Sequence, residues 1–320
     1  MKIIRGRKAM VTGAASGIGR SIALALAREG ADLFLVDIDE ARLEATAREA
    51  ERHGIEVVTS VCDLAQPAET SATLGELLCK WGRLNILVNN AGVAYFGATH
   101  EMTSEEWCRL MAINLTAPTQ LVRELLPTLA AEEEAHIVNI CSMLGLVSLP
   151  KSAAYQASKF ALVGFTAALR AEYSRPGFGV TALCPGFVRT AMIGIFLTGA
   201  PDRRLPVLPS WMSTNADRVA EKAIDAIRRN RALVLTTPFA RVLWWLTRLS
   251  PDFAGRLTRR LSPAFIEWLN REGWRRRRRL DIKPNPIAAD RANSRGLAAV
   301  RPPRDPVRAA AHRSPKNEPR

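Results

Sequence analysis

The sequence predicts an α/β fold, a doubly wound parallel sheet of about seven strands with helices on both faces. Three observations predict it. Short apolar runs alternate with longer segments of helical periodicity between residues 8 and 236. The short runs are apolar along their whole length, as strands covered on both faces are. Glycine- and asparagine-rich turns fall just after strands, at the edge where such sheets bind ligands.

Taken in order, residues 9–11 read as a first strand. A helix over 18–29 follows, with Ile22, Leu24, Ala25 and Leu26 apolar and Gly30 as its stop. Residues 33–36 are a second strand, 40–52 a helix ended by Gly54, 57–61 a third strand and 68–80 a third helix before Gly82. Residues 86–88 form the next strand. Thr103 and Glu106 have the spacing of a capping box, and the helix they open runs toward Leu115. Another helix covers 118–131. Then come a strand over 136–141, a long helix over 153–174, a strand over 180–184, a helix over 216–229 and a last strand over 233–236.

The turn after the first strand reads Thr12-Gly13-Ala14-Ala15-Ser16-Gly17-Ile18-Gly19 and opens a helix. Gly13 suits the tight turn, Gly17 lets backbone approach a pyrophosphate, and Gly19 lets helix and strand pack closely. The helix start supplies free N–H groups to phosphates. Asp37, ending the second strand 18 residues past Gly19, can bind the adenine ribose hydroxyls and repel a 2′-phosphate. Ala15, Ser16 and Ile38 stand where a basic residue would hold that phosphate, so NAD is expected over NADP, with Arg20 and Arg42 the nearest cations. Asp63 and Asn89-Asn90-Ala91-Gly92 mark further strand ends whose small and amide side chains suit adenine and the second ribose. Ser142 follows a strand, and 13 residues on comes Tyr155-Gln156-Ala157-Ser158-Lys159. Four residues apart on a helix, Lys159 shares a face with Tyr155, where an ammonium favours the phenolate.

The Thr12–Gly19 loop, Asp63, Asn89–Gly92, Asn114, Ser142, the Tyr155/Lys159 pair, and Pro185-Gly186 followed by Thr190 resemble the short-chain dehydrogenase/reductase family in order and spacing over residues 8–236. Asn85 departs from the aspartate many members carry. The resemblance implies a Rossmann-type fold and interconversion of an alcohol and a carbonyl. It implies that Tyr155 is the general acid/base, that Ser142 binds the substrate oxygen, and that Lys159 holds the nicotinamide ribose and depresses the Tyr155 pKa. Asn114 would anchor a water behind Lys159. Pro185, Gly186, Val188 and Thr190 would shape the nicotinamide side of a cofactor site that Gly13, Ser16, Gly17, Ile18, Gly19, Asp37, Asp63, Asn90, Ala91 and Gly92 begin. It also implies a homodimer or homotetramer. A non-catalytic NAD-binding scaffold or sensor, recruited to membranes by the basic C-terminus, is the competing class; the full Asn/Ser/Tyr/Lys set argues against it.

Phe96, Met143, Leu144, Leu149 and Phe187 are candidates to line a substrate pocket. The apolar stretch 192–212 reads as a lid, so a hydrophobic, lipid-like substrate is expected.

The chain carries a net charge of +14 that is unevenly spread. Residues 239–320 hold 20 Lys and Arg against 7 Asp and Glu, leaving 25 against 24 for residues 1–238. Residues 1–238 are therefore expected as the dehydrogenase domain, 239–280 as an aromatic and basic helical extension (helices over 240–249, 253–261 and 264–270), and 281–320 as a disordered basic tail. Trp244, Trp245, Trp268, Trp274 and the run Arg275 to Arg279 suit peripheral contact with an anionic membrane; packing on the core or on a second subunit suits them equally. Nucleic acid is disfavoured, since a basic run alone is weak evidence. Five scattered cysteines and four separated histidines give no disulfide framework and no metal pattern. With no signal-like segment before the first strand and no long apolar run, a cytoplasmic protein is expected, peripheral at most to the inner face of a membrane.

Overall fold

The computed structural model describes residues 1–188, 196–197 (backbone only) and 213–250, with 252, 255 and 256 beyond them. All lie in one compact unit of the chain, Met1–Arg279. Thr190, most of the expected lid, the helices expected over 253–261 and 264–270, the arginine run and the tail lie outside the described residues.

Seven strands form a parallel sheet: β1 (Lys8–Thr12), β2 (Asp32–Asp37), β3 (Val57–Val61), β4 (Ile86–Asn89), β6 (Ala135–Ile140), β7 (Phe178–Cys184) and β11 (Leu233–Leu235), the two-residue β5 (Ala94–Tyr95) lying outside it. Their order is β11-β7-β6-β4-β1-β2-β3. The chain builds outward from β1 to β3, then returns to build the other way from β4, so strand order reverses between β1 and β4. That crevice is where doubly wound sheets hold ligands. Successive side chains point to opposite faces. Ala9 and Val11 of β1 with Leu33 and Leu35 of β2 join one buried cluster, and Met10, Phe34 and Val36 join the other.

The helices close both faces. α1 (Gly17–Arg28), α2 (Glu40–Glu51) and α7 (Ala216–Arg229) bury Ile22, Leu26, Leu43, Val219, Ala223 and Ile227 on the first face. α3 (Pro67–Trp81), α5 (Ala117–Ala131) and α6 (Ala153–Tyr173) bury Leu74, Leu77, Leu121, Leu125, Leu129 and Leu169 on the second. α4 (Ser104–Met111) opens on the expected capping box: Thr103 Oγ1 accepts from the Glu106 N–H at 3.1 Å, and the Glu106 carboxylate accepts from the Thr103 N–H at 3.0 Å. α8 (Pro238–Leu249) packs Ala240 and Leu243 against Cys184, Leu235 and Leu162. Short strands that the sequence did not signal, β5, β8 (Phe187–Val188), β9 (Phe196–Leu197) and β10 (Ser213–Thr214), pair beyond the main sheet, β5 with β9 and β8 with β10.

A buried polar ladder crosses from the sheet to α6. Asn89 Nδ2 donates to Asn139 Oδ1 at 2.8 Å, and Asn139 Nδ2 donates to Thr166 Oγ1 at 2.8 Å. At the opposite, amino edge, Asn85 accepts from the Lys8 N–H at 3.0 Å and donates to Glu132 at 2.8 Å. The family departure at Asn85 is thus a sheet-edge clasp far from the site.

His136 of β6 is buried, with Nε2 2.8 Å from Thr181 Oγ1. Burial pushes its imidazole down to about 3 from the usual 6.5. The folded chain then keeps His136 neutral while the unfolded chain protonates it, so stability falls as pH drops below 6.5. The expected loss from this residue at pH 5 is about 2 kcal/mol. Urea unfolding at pH 7 and pH 5 checks it: His136→Gln should flatten the slope, and an unchanged slope would show that folded His136 carries the proton.

Candidate active site

The site is built where β1, β4, β6 and β7 end. After β1 the backbone turns at Gly13 with φ +67°, a conformation that costs a glycine little. A Cβ on Gly19 would stand 2.0 Å from the Gly13 carbonyl oxygen and 2.3 Å from Asn90 Nδ2. Only glycine lets α1 come this close. Ser16 precedes α1 and its side chain makes no cap bond, so the first amides of α1 face the turn without a side-chain partner. A bare cradle of this shape fits a pyrophosphate.

Asn90 is turned into the loop. Its amide donates to the Thr12 and Gly13 carbonyls at 2.9 and 3.1 Å, while Thr12 Oγ1 accepts from the N–H groups of Asn90 and Ala91 at 3.0 and 3.1 Å. The Asn90 side chain shapes the glycine turn. Asp37 Oδ2 accepts from the Ala15 N–H at 2.9 Å and Oδ1 from the Asp39 N–H at 3.1 Å. The two nearest cations are matched: Arg20 pairs with Glu49, and Arg42 lies 3.4 Å from Asp39. Asp63 is held by Arg109 of α4 through contacts of 3.0 and 3.3 Å, a partner without any sequence signal.

Ser142 leaves the end of β6, and its Oγ accepts from the Leu144 N–H at 3.1 Å. Tyr155 and Lys159 sit one turn apart near the start of α6. The Ser142 hydroxyl acts on the Tyr155 phenol to lower its pKa. Lys159 Nζ lies 5.9 Å from the Tyr155 ring centre and donates to the Ile140 carbonyl at 3.0 Å. Asn114 stands in a π-helical turn, Ala112–Thr116, between α4 and α5, a local widening common at functional sites. Its Oδ1 accepts from the Val93 N–H at 2.8 Å, and its Nδ2 donates to the Val93 carbonyl at 2.8 Å and to Ser158 Oγ at 3.1 Å. A Cβ on Gly92 would lie 3.2 Å from Asn114 Oδ1 and 3.5 Å from Lys159 Nζ, so glycine keeps that space open. The four residues named as a set in the sequence are brought together.

Two supporting residues escaped the sequence reading. Gln156 Oε1 accepts from the Leu149 N–H at 3.0 Å, and its Nε2 donates to the Leu149 carbonyl and to Ser152 Oγ, pinning the loop before α6. Gly145 lets the turn after Ser142 lie on α6, since a Cβ there would meet the Lys159 carbonyl oxygen at 2.6 Å. Each had a signal: Gln156 adjoins Tyr155, and Gly145 closes the segment after Ser142.

Burial pushes the Tyr155 phenol up to about 12, against the Ser142 hydrogen bond, which lowers it. Burial also pulls Lys159 below its ordinary value. The net shift of Tyr155 is upward, opposite to the depression expected from Lys159. Desolvation dominates, and the ammonium is directed at the Ile140 carbonyl.

After β7, the Pro185 carbonyl accepts from the Met143 N–H at 2.8 Å, and the Gly186 N–H donates to Thr236 Oγ1 at 3.1 Å. Val188 pairs with Thr214 and packs on the core. Beside Tyr155 lies an apolar wall of Val93, Tyr95, Met102, Leu110, Met111 and Ala154. Met143, expected in the pocket, is buried in the core with Cys141 and Leu162. Leu144 and Phe187 are half-buried at the edge of that cluster.

The short chain dehydrogenase family model matches residues 7–196. The chain is 42% identical over 186 residues (58% of this chain, 68% of the relative) to granaticin polyketide synthase putative ketoacyl reductase 1 of Streptomyces violaceoruber. It is 34% identical over 236 residues (72% and 92%) to 2-(S)-hydroxypropyl-CoM dehydrogenase 3 of Xanthobacter autotrophicus. A short chain dehydrogenase/reductase of Burkholderia phymatum, solved in complex with NAD, superposes with a TM-score of 0.70 at 29% identity, covering 79% of this chain and 96% of that one. With more than half its length matched and the sheet, glycine cradle and Ser142/Tyr155/Lys159 cluster in place, this chain belongs to the short chain dehydrogenase family, oxidoreductases that act on CH–OH groups with NAD or NADP.

Proposed function

We infer that the chain interconverts a secondary alcohol and its carbonyl on an apolar, lipid-like substrate, with NAD as cofactor and Tyr155 as general acid/base. The observation that carries this is the convergence of Ser142, Tyr155, Lys159 and Asn114 at the strand ends, beside an apolar wall. The bound nicotinamide supplies or accepts the hydride. Tyr155 Oη holds the proton that the substrate oxygen gains in reduction and loses in oxidation. Ser142 Oγ, next to it, orients that oxygen. Lys159 and the open α1 amides would hold the ribose and the phosphates, and Asn114, tied to α6 through Ser158, would steady a proton path behind Lys159.

NAD is favoured because Asp37 closes the place a 2′-phosphate would take, and both nearby arginines are already paired. Val93, Met102 and Met111, half-buried beside Tyr155, favour an apolar substrate. The family supports a homodimer or homotetramer. Peripheral membrane contact rests on residues 239–280; among the described residues no helix is long and apolar enough to cross a bilayer.

Calorimetry with NADH and NADPH, followed by a screen of secondary alcohols, tests the reading. NADH should bind at least about tenfold tighter, a difference of about 1.4 kcal/mol, and long-chain alcohols should exceed short polar ones in kcat/KM. NADPH preference would overturn the Asp37 argument. Faster turnover of a small polar alcohol would overturn the substrate class, and binding of neither nucleotide would remove the reaction itself.

A further inference from the structure

α8 is amphipathic in an unusual way for a helix at the edge of a sheet. Its inner face is spent on the core, with Ala240 and Leu243 buried and Trp244 packed beside them. Its outer face remains apolar. Val242, Trp245 and Leu249 are 60, 56 and 78% exposed. At spacings of three and four residues they form one stripe. Arg241 and Arg248 are exposed on the same helix, Arg248 with its guanidinium 5.7 Å from the Trp244 ring centre. The sequence of α8, PFARVLWWLTRL, contains no acidic residue.

We propose that this outer face of α8 docks on an anionic lipid surface. Charge selects this occupant over a second copy of the chain. A two-fold interface sets the same patch against itself, which would bring Arg241 and Arg248 toward their own equivalents with no carboxylate on the helix to receive them. Lipid phosphates supply the missing negative charge, and an indole beside arginines suits the headgroup boundary. The surplus of 20 Lys and Arg over 7 Asp and Glu from residue 239 onward adds to the same attraction.

The helix also starts against the Gly186 turn at the carboxyl end of β7. Thr237 caps α8 by accepting from the Ala240 N–H at 3.3 Å, and a Cβ on Gly186 would meet Thr237 Oγ1 at 2.6 Å. Docking would therefore bring the carboxyl edge of the sheet near the bilayer, the source of an apolar alcohol. This consequence rests on the substrate class proposed above; the docking itself does not.

The test uses the full chain with phosphatidylcholine vesicles and with vesicles that also contain phosphatidylglycerol. The protein should pellet with the anionic vesicles, stay in solution with the neutral ones, and be released by salt. Val242→Glu with Trp245→Glu should weaken anionic pelleting by about tenfold or more while leaving the melting temperature and NADH binding unchanged. Arg241→Glu with Arg248→Glu, both exposed positions, should weaken it as well. Truncation after Thr237 is a poorer test, because it would uncover Cys184 and Leu235. Equal pelleting of parent and both variants overturns the proposal, as does a parent that fails to pellet. Variants that lose subunits on a sizing column yet still pellet assign the face to a second copy and overturn it too. None of these readouts involves turnover, so failure here and failure of the oxidoreductase reading are distinguishable.

Discussion

Tyr155→Phe lowers turnover by about 10²–10⁴-fold and leaves NADH affinity nearly unchanged. The substitution removes one oxygen and keeps the ring, which packs beside Tyr95, Leu110 and Ala154. The glycine cradle, Asp37 and Lys159 keep their hydrogen bonds. Loss of kcat with retained binding is the mark of a group used only in the reaction step. The pH profile sharpens the assignment. With burial holding the phenol near 12, the proton donor needed for reduction is fully present at neutral pH, and the phenolate needed for oxidation is scarce. Oxidation should therefore climb with pH, and reduction should hold level and fall only in strong alkali. Steady-state rates in both directions check this, with calorimetry for binding. Full activity in the Phe variant would falsify the acid/base assignment.

Gly19→Ala abolishes nicotinamide binding. The added methyl would sit 2.0 Å from a backbone oxygen of Gly13 and 2.3 Å from the Asn90 amide that holds the turn. The first is backbone and the second is a side-chain end pinned by the Thr12 and Gly13 carbonyls, so the helix must back away from the loop. Overpacking of this kind costs about 1–3 kcal/mol in stability, and it opens the distance on which the cradle depends. A Cβ on Gly75 of α3 would meet nothing within 4 Å, so Gly75→Ala serves as the control and should leave binding intact. Melting curves with and without NADH report both effects. A Gly19→Ala chain that still shifts its melting temperature with NADH would show that α1 does not carry the phosphates.

Much of this was legible in the sequence because it is local. Strand runs such as 57–61 match β3 to the residue, and Thr103 with Glu106 forms the box that its spacing implies. The Tyr155/Lys159 spacing needs only the pitch of a helix. What was not legible depends on contacts distant in sequence. Arg109 reaches Asp63 across 46 residues, and the Asn90 amide turns back 78 residues to Thr12. The two-residue strands β5, β8, β9 and β10 are too short to carry a period. The protonation of Tyr155 was read from one neighbour, Lys159, whereas in the fold it follows from the apolar packing that residues from α4 and the β5 segment build against the ring.

The amide ladder from Asn89 through Asn139 to Thr166 has a mechanical meaning. An apolar contact between a helix and a sheet tolerates sliding, since one greasy surface fits another in several phases. A chain of directional bonds tolerates one. Thr166 lies 11 residues from Tyr155 on the same rigid rod, so fixing its angle about the axis fixes the aim of the phenol. A slip of one residue would rotate the rod by about 100° and shift it by about 1.5 Å. The ladder is a detent that indexes the helix carrying Tyr155 and Lys159 against the sheet.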